Sequence, residues 1–445
     1  MLGWLQHLHP VLQDVLSALG RVLLFLVPIL ILVPGCIWWE RRFLSWMQDR
    51  VGPNRVGNIS WSKTSKLVPG FLRGKKTRLF GLLQPIADGV KLFFKEDITP
   101  TSIDKVIYFL APAVALFPAF ALGGVLPWCP DRRFSPIADV NIGVLYMLAI
   151  SSLGVYGVVL AGYASNNKYS LMGGLRASAQ LISYELAMGM SLACIVLAQG
   201  SLKLTDMVAA QMQPLWGING NPLSNWFILT PFGAVASVIF LICMTAETNR
   251  APFDLPEAEN ELIAGYHTEY SSMKFAVFFM GEYAAMFVFS GVFATVFLGG
   301  WNMLPIRWDA MGLGAIQQFN DFPLVAAAVF LGKCTVGISA YVWMRATLPR
   351  LRYDQLMSLG WKSLLPLATV NFMIVALWIM VTKLQGVLAG WMAAVGALLV
   401  AGGIYALMLR SGAKTRKELE RREVRLLDPS PRSVTLVNPG TEAAG

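Results

Sequence analysis

With 445 residues, 56% hydrophobic and 14% charged, and a mean hydropathy of +0.56, the chain is too apolar for a water-soluble domain of this length and fits an all-α, polytopic membrane bundle. Its five cysteines, Cys36, Cys129, Cys194, Cys243 and Cys334, form no Cys-x-x-Cys, and its histidines are only His7, His9 and His267, so no metal, iron–sulfur or haem centre is expected in this chain. The formal charge of +10 raises nucleic acid as a partner, unless the Lys and Arg lie mainly on one side of a membrane.

The first apolar run, about Leu16 to Trp39, is long enough to span, and Glu40-Arg41-Arg42 ends it. It has no basic leader and no small-residue cleavage site, so it is expected to stay as a span (1–44). The loop 45–105 opens with the turn-rich Arg50-Val51-Gly52-Pro53-Asn54-Arg55. A basic, aperiodic insertion over 58–78 follows, expected to be flexible and to contact a peripheral partner. Helical periodicity returns over 79–97, where Leu79, Leu82, Leu83, Ile86, Val90, Phe93 and Phe94 share a face and Asp88, Lys91, Lys95 and Glu96 mostly do not. This predicts an amphipathic helix that either lies in the membrane interface or packs on other spans.

Spans two to five are expected at 106–128, 142–164, 180–199 and 228–246. An acidic loop fills 247–272, and spans six to eight fall at 273–298, 322–344 and 365–383, within 273–384. A ninth span at 388–409 precedes a basic tail, 410–445, read as a short helix followed by disorder. With the N-terminus outside, 29 of the 36 Lys and Arg lie on the inner side. That asymmetry fixes an N-out, C-in topology and accounts for the charge through the membrane surface, without nucleic acid.

Within the spans, charge is scarce: Glu185 in the fourth, Glu282 in the sixth and Lys333 in the seventh. Each costs roughly 3 kcal/mol or more at such depth, which marks an ion path, a structural Glu282–Lys333 pair, or both. After the seventh span, the connection 345–362 carries Arg345, Arg350, Arg352 and Lys362 and is suited to hold the acidic loop.

That loop gathers Glu247, Asp254, Glu257, Glu259, Glu261 and Glu269 within residues 246–270, although the whole chain has only 26 Asp and Glu. Asp254 three residues before Glu257, with Pro256 between, reads as a helix cap and first turn. Glu257 and Glu261 then lie one turn apart and repel unless Arg250 or a partner neutralises them.

The wording Glu247-Thr248-Asn249-Arg250-Ala251-Pro252-Phe253-Asp254-Leu255-Pro256-Glu257-Ala258-Glu259, followed by Gly265-Tyr266-His267-Thr268-Glu269-Tyr270, resembles the quinone-chamber membrane subunit of respiratory complex I, the NuoH family of bacterial NADH:quinone oxidoreductase. The likeness continues in Glu40-Arg41-Arg42, Arg50–Arg55, Gly81–Asp97, Gly162–Arg176, Ile182-Ser183-Tyr184-Glu185, Gly281-Glu282-Tyr283 and Arg345–Lys362, in order over about 20–384. Two features depart from the family: the 58–78 insertion and the ninth span beyond an eight-span core.

The resemblance implies that the first, sixth and seventh spans, the amphipathic helix and the acidic loop build a chamber for a quinone headgroup. Electrons would arrive from an iron–sulfur cluster on a neighbouring peripheral subunit, with no flavin in this chain. It implies Glu40, Arg41, Asp88, Arg250, Asp254, Glu257, Glu259 and Glu261 at the chamber and its entrance, and Glu185, Glu247 and Glu282 as a proton relay, with Lys333 and Arg345 supporting. Implied partners are peripheral iron–sulfur and quinone-site subunits, small and antiporter-like membrane subunits, and lipid, in a bacterial inner membrane. A homologous membrane subunit of an energy-converting hydrogenase, or of a dehydrogenase with another donor, remains open, because partner chains set the donor. A stand-alone ion transporter is opposed by the lack of an internal repeat or paired broken half-helices.

Overall fold

The computed structural model describes residues 10–406 except 55, 57–58, 61–75, 78–79, 132–134, 219–220 and 255–263. Helix α1, Pro10–Met47, continues past Pro28 and Pro34, which a helix at membrane depth tolerates when its neighbours satisfy the freed carbonyls. Strands β1 (Ile59–Ser60) and β2 (Lys76–Thr77) pair antiparallel, Ile59 opposite Thr77, so part of the 58–78 insertion is an ordered pair and not wholly aperiodic coil.

The amphipathic helix is α2, Gln84–Phe94. Its apolar face is turned outward, with Phe93 67% and Phe94 81% exposed and Ile86 and Val90 also exposed. That favours the interfacial placement over packing on the spans. The helix is pinned at two points. Arg41 reaches Asp88 at 2.7 Å, and Ser272 Oγ donates to the terminal carbonyls of Leu92 (2.8 Å) and Lys95 (3.1 Å), groups a helix end leaves unsatisfied.

The bundle continues with α3 (Lys105–Gly123), α4 (Gly143–Ala164), α5 (Lys168–Gln199), α6 (Leu204–Gln211), α7 (Pro231–Glu247) and α8 (Ser272–Phe297). It closes with α9 (Gly314–Asn320), α10 (Pro323–Thr347), α11 (Tyr353–Ser358), a π turn at Leu359–Leu364, α12 (Leu365–Gln385) and α13 (Val387–Ala406). Among the described residues, seven helices are long and apolar enough to cross a membrane. The first and fifth of the nine expected spans fall in α1 and in the shorter apolar α7. The fourth is longer than expected: α5 begins at Lys168, twelve residues before 180, because Lys168 and Arg176 lower hydropathy without breaking a helix. The 410–445 tail lies outside the described residues.

Close helix approach depends on small residues, as expected where lipid supplies no hydrophobic drive between helices. A Cβ on Gly157 of α4 would sit 2.6 Å from the Ala115 backbone of α3, and one on Gly162 would sit 2.7 Å from the Ser170 carbonyl of α5. The main core is shared by α1, α3, α4, α5, α7, α8, α10 and α12. Trp391 adds a stack on Phe232 (5.6 Å) and donates its indole N–H to the Trp216 carbonyl at 3.1 Å. The chain divides into units 1–394 and 395–445; the described part of the second is the rest of α13, to Ala406.

Candidate functional site

The acidic loop starts where α7 runs out. Asn249 takes a left-handed conformation (φ 49°), tolerable for Asn, and turns the chain so that Arg250 points back into the bundle. Gln180, buried in α5, donates from Nε2 to the carbonyls of Ala246 (2.9 Å) and Phe253 (2.8 Å) and so fixes both ends of this turn. From the other side, Leu351 N–H donates to the Pro252 carbonyl at 3.1 Å and Arg350 pairs with Asp254 at 2.8 Å. The basic connection thus holds the start of the acidic loop by charge and by backbone. Glu257, Glu259 and Glu261, with their repulsion and the helix start that Asp254 is expected to cap, lie outside the described residues.

Arg250 is the centre of the cluster. Its guanidinium lies 4.0 Å from Glu40 Oε2 and 3.8 Å from Glu282 Oε2, and 4.4 Å above the Tyr283 ring. Glu40 is buried; its Oε1 pairs with Arg345 of α10 and its Oε2 accepts the Tyr283 hydroxyl at 2.9 Å. Glu282 Oε1 accepts the Tyr266 hydroxyl at 3.2 Å. Four sequence-predicted residues, Glu40, Arg250, Glu282 and Arg345, from α1, the acidic loop, α8 and α10, are therefore one network.

Tyr266 is delivered by a tight turn, Gly265–His267, that abuts Gly173 of α5; a Cβ there would sit 2.8 Å from the Tyr266 nitrogen. Asn167 Nδ2 donates to Glu269 Oε1 at 2.8 Å and anchors the same turn, which explains what the Gly162–Arg176 motif does structurally. Burial, and after it the Tyr108 hydroxyl nearby, push the Tyr270 hydroxyl above its ordinary range, so it acts as a donor, here to the Tyr108 carbonyl at 3.2 Å.

Glu247 and Glu282 face one small cavity of about 80 Å³, together with Ser151, Thr248, Asn249 and Tyr266. A water needs about 10–15 Å³ of such space, so the cavity has room for a few waters and not for a quinone ring. Glu247 Oε2 is buried without a protein hydrogen-bond partner. On the far side, Glu185 accepts from Ser151 at 3.4 Å and from Ser152, so Ser151 bridges the cavity wall to the third carboxylate. A second cavity, about 370 Å³ and lined only by apolar and aromatic residues and Gly123, opens between α1, α3, α8 and α10. It begins roughly 12 Å along α1 from Glu40, counting eight residues back to Leu32 at 1.5 Å each.

Lys333 departs from expectation. Its Nζ donates to the carbonyls of Leu298 (2.5 Å), Gly300 (2.9 Å) and Asn302, just past the C-terminus of α8, and lies 4.4 Å from the Trp226 ring. There is no Glu282–Lys333 pair: sixteen residues of α8, roughly 24 Å, separate Glu282 from Leu298, and the orphan carbonyls of a helix end attract the cation instead. Arg41 and Asp88 pair at the partly exposed surface of α2, apart from the buried network.

Sequence reasoning missed Gln180, Ser151, Tyr266 and Tyr283 as site residues. Only the last two carried a signal, standing inside family motifs beside charged or acidic neighbours. Among the described residues, no group of three or more His, Cys, Asp or Glu could hold a metal ion.

A model of the NADH dehydrogenase family matches residues 20–376. The chain is 44% identical to the first of the numbered H subunits of NADH-quinone oxidoreductase in Geobacter metallireducens, over 84% of this chain and 99% of that one. It is 44% identical to the second of those in Geobacter sulfurreducens, over 80% and 94%, and 43% identical to the H subunit of the same oxidoreductase in Ralstonia nicotianae, over 81% and 92%.

Proposed function

The chain belongs to the NuoH family, the H subunits of NADH-quinone oxidoreductase (complex I), and on that premise we propose that its Glu40–Arg250–Glu282 cluster is where quinone chemistry is passed on as proton movement. The protein is a multi-pass membrane subunit of this oxidoreductase, and its bacterial relatives indicate the cytoplasmic membrane. In the N-out, C-in topology the cluster lies at the inner side, where peripheral iron–sulfur and quinone-site subunits dock and where the first, sixth and seventh spans (α1, α8, α10), α2 and the acidic loop wall the quinone chamber. Antiporter-like membrane subunits receive the coupling.

Quinone reduced to quinol takes up two electrons and two protons. The electrons come from an iron–sulfur cluster on a peripheral neighbour; this chain's residues handle charge and protons. The apolar 370 Å³ cavity offers a surface suited to an isoprenoid tail. Glu40 and Arg41 stand near the end of α1, with Arg41 paired to Asp88 of α2, a polar edge at which an amphiphile's head can turn inward. Glu282, Glu247 and Glu185, joined by the small cavity and Ser151, form the relay leading away from it.

The observation that carries this reading is one guanidinium held between the buried Glu40, at 4.0 Å, and the largely shielded Glu282, at 3.8 Å. Protonation of either acid changes the pull on Arg250 and hence the field at the other, which is how a chamber event reaches an intramembrane acid. The test is Glu282→Gln in the whole complex. Proton translocation per quinone reduced is expected to fall severely with assembly intact; wild-type quinone reduction and wild-type translocation together would sink the relay.

A further inference from the structure

Tyr283 belongs to no carboxylate relay, yet it touches both halves of the cluster. Its hydroxyl donates to Glu40 Oε2 at 2.9 Å, and its ring is the floor 4.4 Å beneath the Arg250 guanidinium. It follows Glu282 directly in α8, so any shift of this turn moves Glu282 and the Glu40 hydrogen bond together. The side chain is buried, which makes the hydroxyl's single carboxylate partner strongly favoured over solvent.

Arg250 Nη1 and the Tyr283 hydroxyl both approach the same oxygen of Glu40, one at 4.0 Å and the other at 2.9 Å. The tyrosine thus holds the position a closer arginine would take. It keeps the guanidinium centred over the ring and within reach of Glu282 at 3.8 Å. Were the hydroxyl absent, Arg250 could close on Glu40, which already pairs with Arg345, and withdraw from Glu282.

We propose that Tyr283 is a positioning residue that holds Arg250 midway between Glu40 and Glu282, so that both carboxylates act on one cation. The charged and titratable groups facing it are Glu40 from α1, Arg250 from the acidic loop, Arg345 from α10 through Glu40, and Glu282 with Tyr266 beside it. This rests on the reading of the cluster as the coupling route and adds a residue to it.

The experiment uses the intact complex in sealed vesicles, with NADH and a short-chain quinone. Tyr283→Phe keeps the ring and removes the donor. Loss of one charge-assisted hydrogen bond predicts roughly a tenfold fall in kcat with KM little changed, and fewer protons moved per quinone reduced. A merely structural tyrosine lowers the amount of complex but leaves kcat per complex and the proton ratio at wild type, and that result overturns the proposal. Tyr283→His, which retains a planar ring with an N–H donor, is expected to recover part of the ratio. Failure of both variants to assemble assigns Tyr283 to the fold and also overturns it. In a Glu40→Gln background, Tyr283→Phe is expected to add little, because both act on one contact; full additivity counts against the proposal. A silent Glu282→Gln overturns the coupling route itself, whereas a defective Glu282→Gln with a silent Tyr283→Phe overturns the positioning role alone.

Discussion

Helix α8 meets one shielded cation near its middle and another past its far end, and the two are neutralised in opposite ways. Near the middle, Arg250 lies between Glu40 and Glu282 over the Tyr283 ring. Past the far end, Lys333 is satisfied by the carbonyls of Leu298, Gly300 and Asn302. Carbonyls do not titrate, so the lysine's surroundings are fixed at any protonation state of the protein. Carboxylates do titrate, so the arginine's surroundings change whenever a proton is gained or lost. A buried charge in a membrane helix is therefore no sufficient sign of an ion path; the chemistry of its partners decides.

Breaking the arginine site is expected to have the largest effect. Arg250→Met takes the shared cation from the buried Glu40, which keeps Arg345, and from the largely shielded Glu282, a loss of about 3–5 kcal/mol by analogy with broken buried pairs. Quinone reduction per cell is expected to fall at least tenfold, measured beside the amount of assembled complex. Lys333→Met removes the donor from three carbonyls and is expected to lower stability by about 1–3 kcal/mol in thermal unfolding of the complex. Turnover per assembled complex is expected to stay at the wild-type level, since the three carbonyls carry no proton of their own and the Arg250 cluster is untouched; a proton-translocation defect in this variant would erase the contrast between the two sites.

Smaller effects sharpen the same comparison. Gln180→Leu takes the side-chain donor from the Phe253 carbonyl and leaves the Ala246 carbonyl with the Asn249 N–H, and it is expected to cost about 1–3 kcal/mol, with turnover lowered because the Arg250 turn loosens. Protease sensitivity of the 248–254 turn, compared with Lys333→Met, separates a local from a global loss. The smallest effect is expected from Arg350→Gln. Its partner Asp254 is mostly shielded but Arg350 itself is 39% exposed, so the pair contributes below about 1 kcal/mol, and turnover should change less than about threefold.

Much of the site was legible in the sequence. Glu40, Arg250, Glu282 and Arg345 stand out because charge is rare in an apolar chain and because their motifs carry a family resemblance. Their convergence was not legible, since they stand up to 305 positions apart, as Glu40 and Arg345 do. The Glu282–Lys333 pair, one of the alternatives that scarce charge leaves open, fails for the same reason. Sequence ranks charges by sign and depth along each span, but it does not say that the end of α8 presents three carbonyls within reach of a lysine on α10. Gln180 carries no signal in the sequence because a neutral amide does not stand out in composition, and only its two backbone partners give it a role.

The sequence by itself determined the solvent, the class of fold and the family: hydropathy set the helices, the Lys and Arg asymmetry predicted an orientation, and ordered motifs from about 20 to 384 pointed to the NuoH family. Each of those is a property of local composition or of words in order. The tertiary structure alone decided which charges meet, that α2 turns its aromatic face outward, and that two tyrosines and a glutamine complete the cluster. Contact between helices depends on how small residues such as Gly157 and Gly173 let backbones approach, and that geometry is summed over the whole bundle.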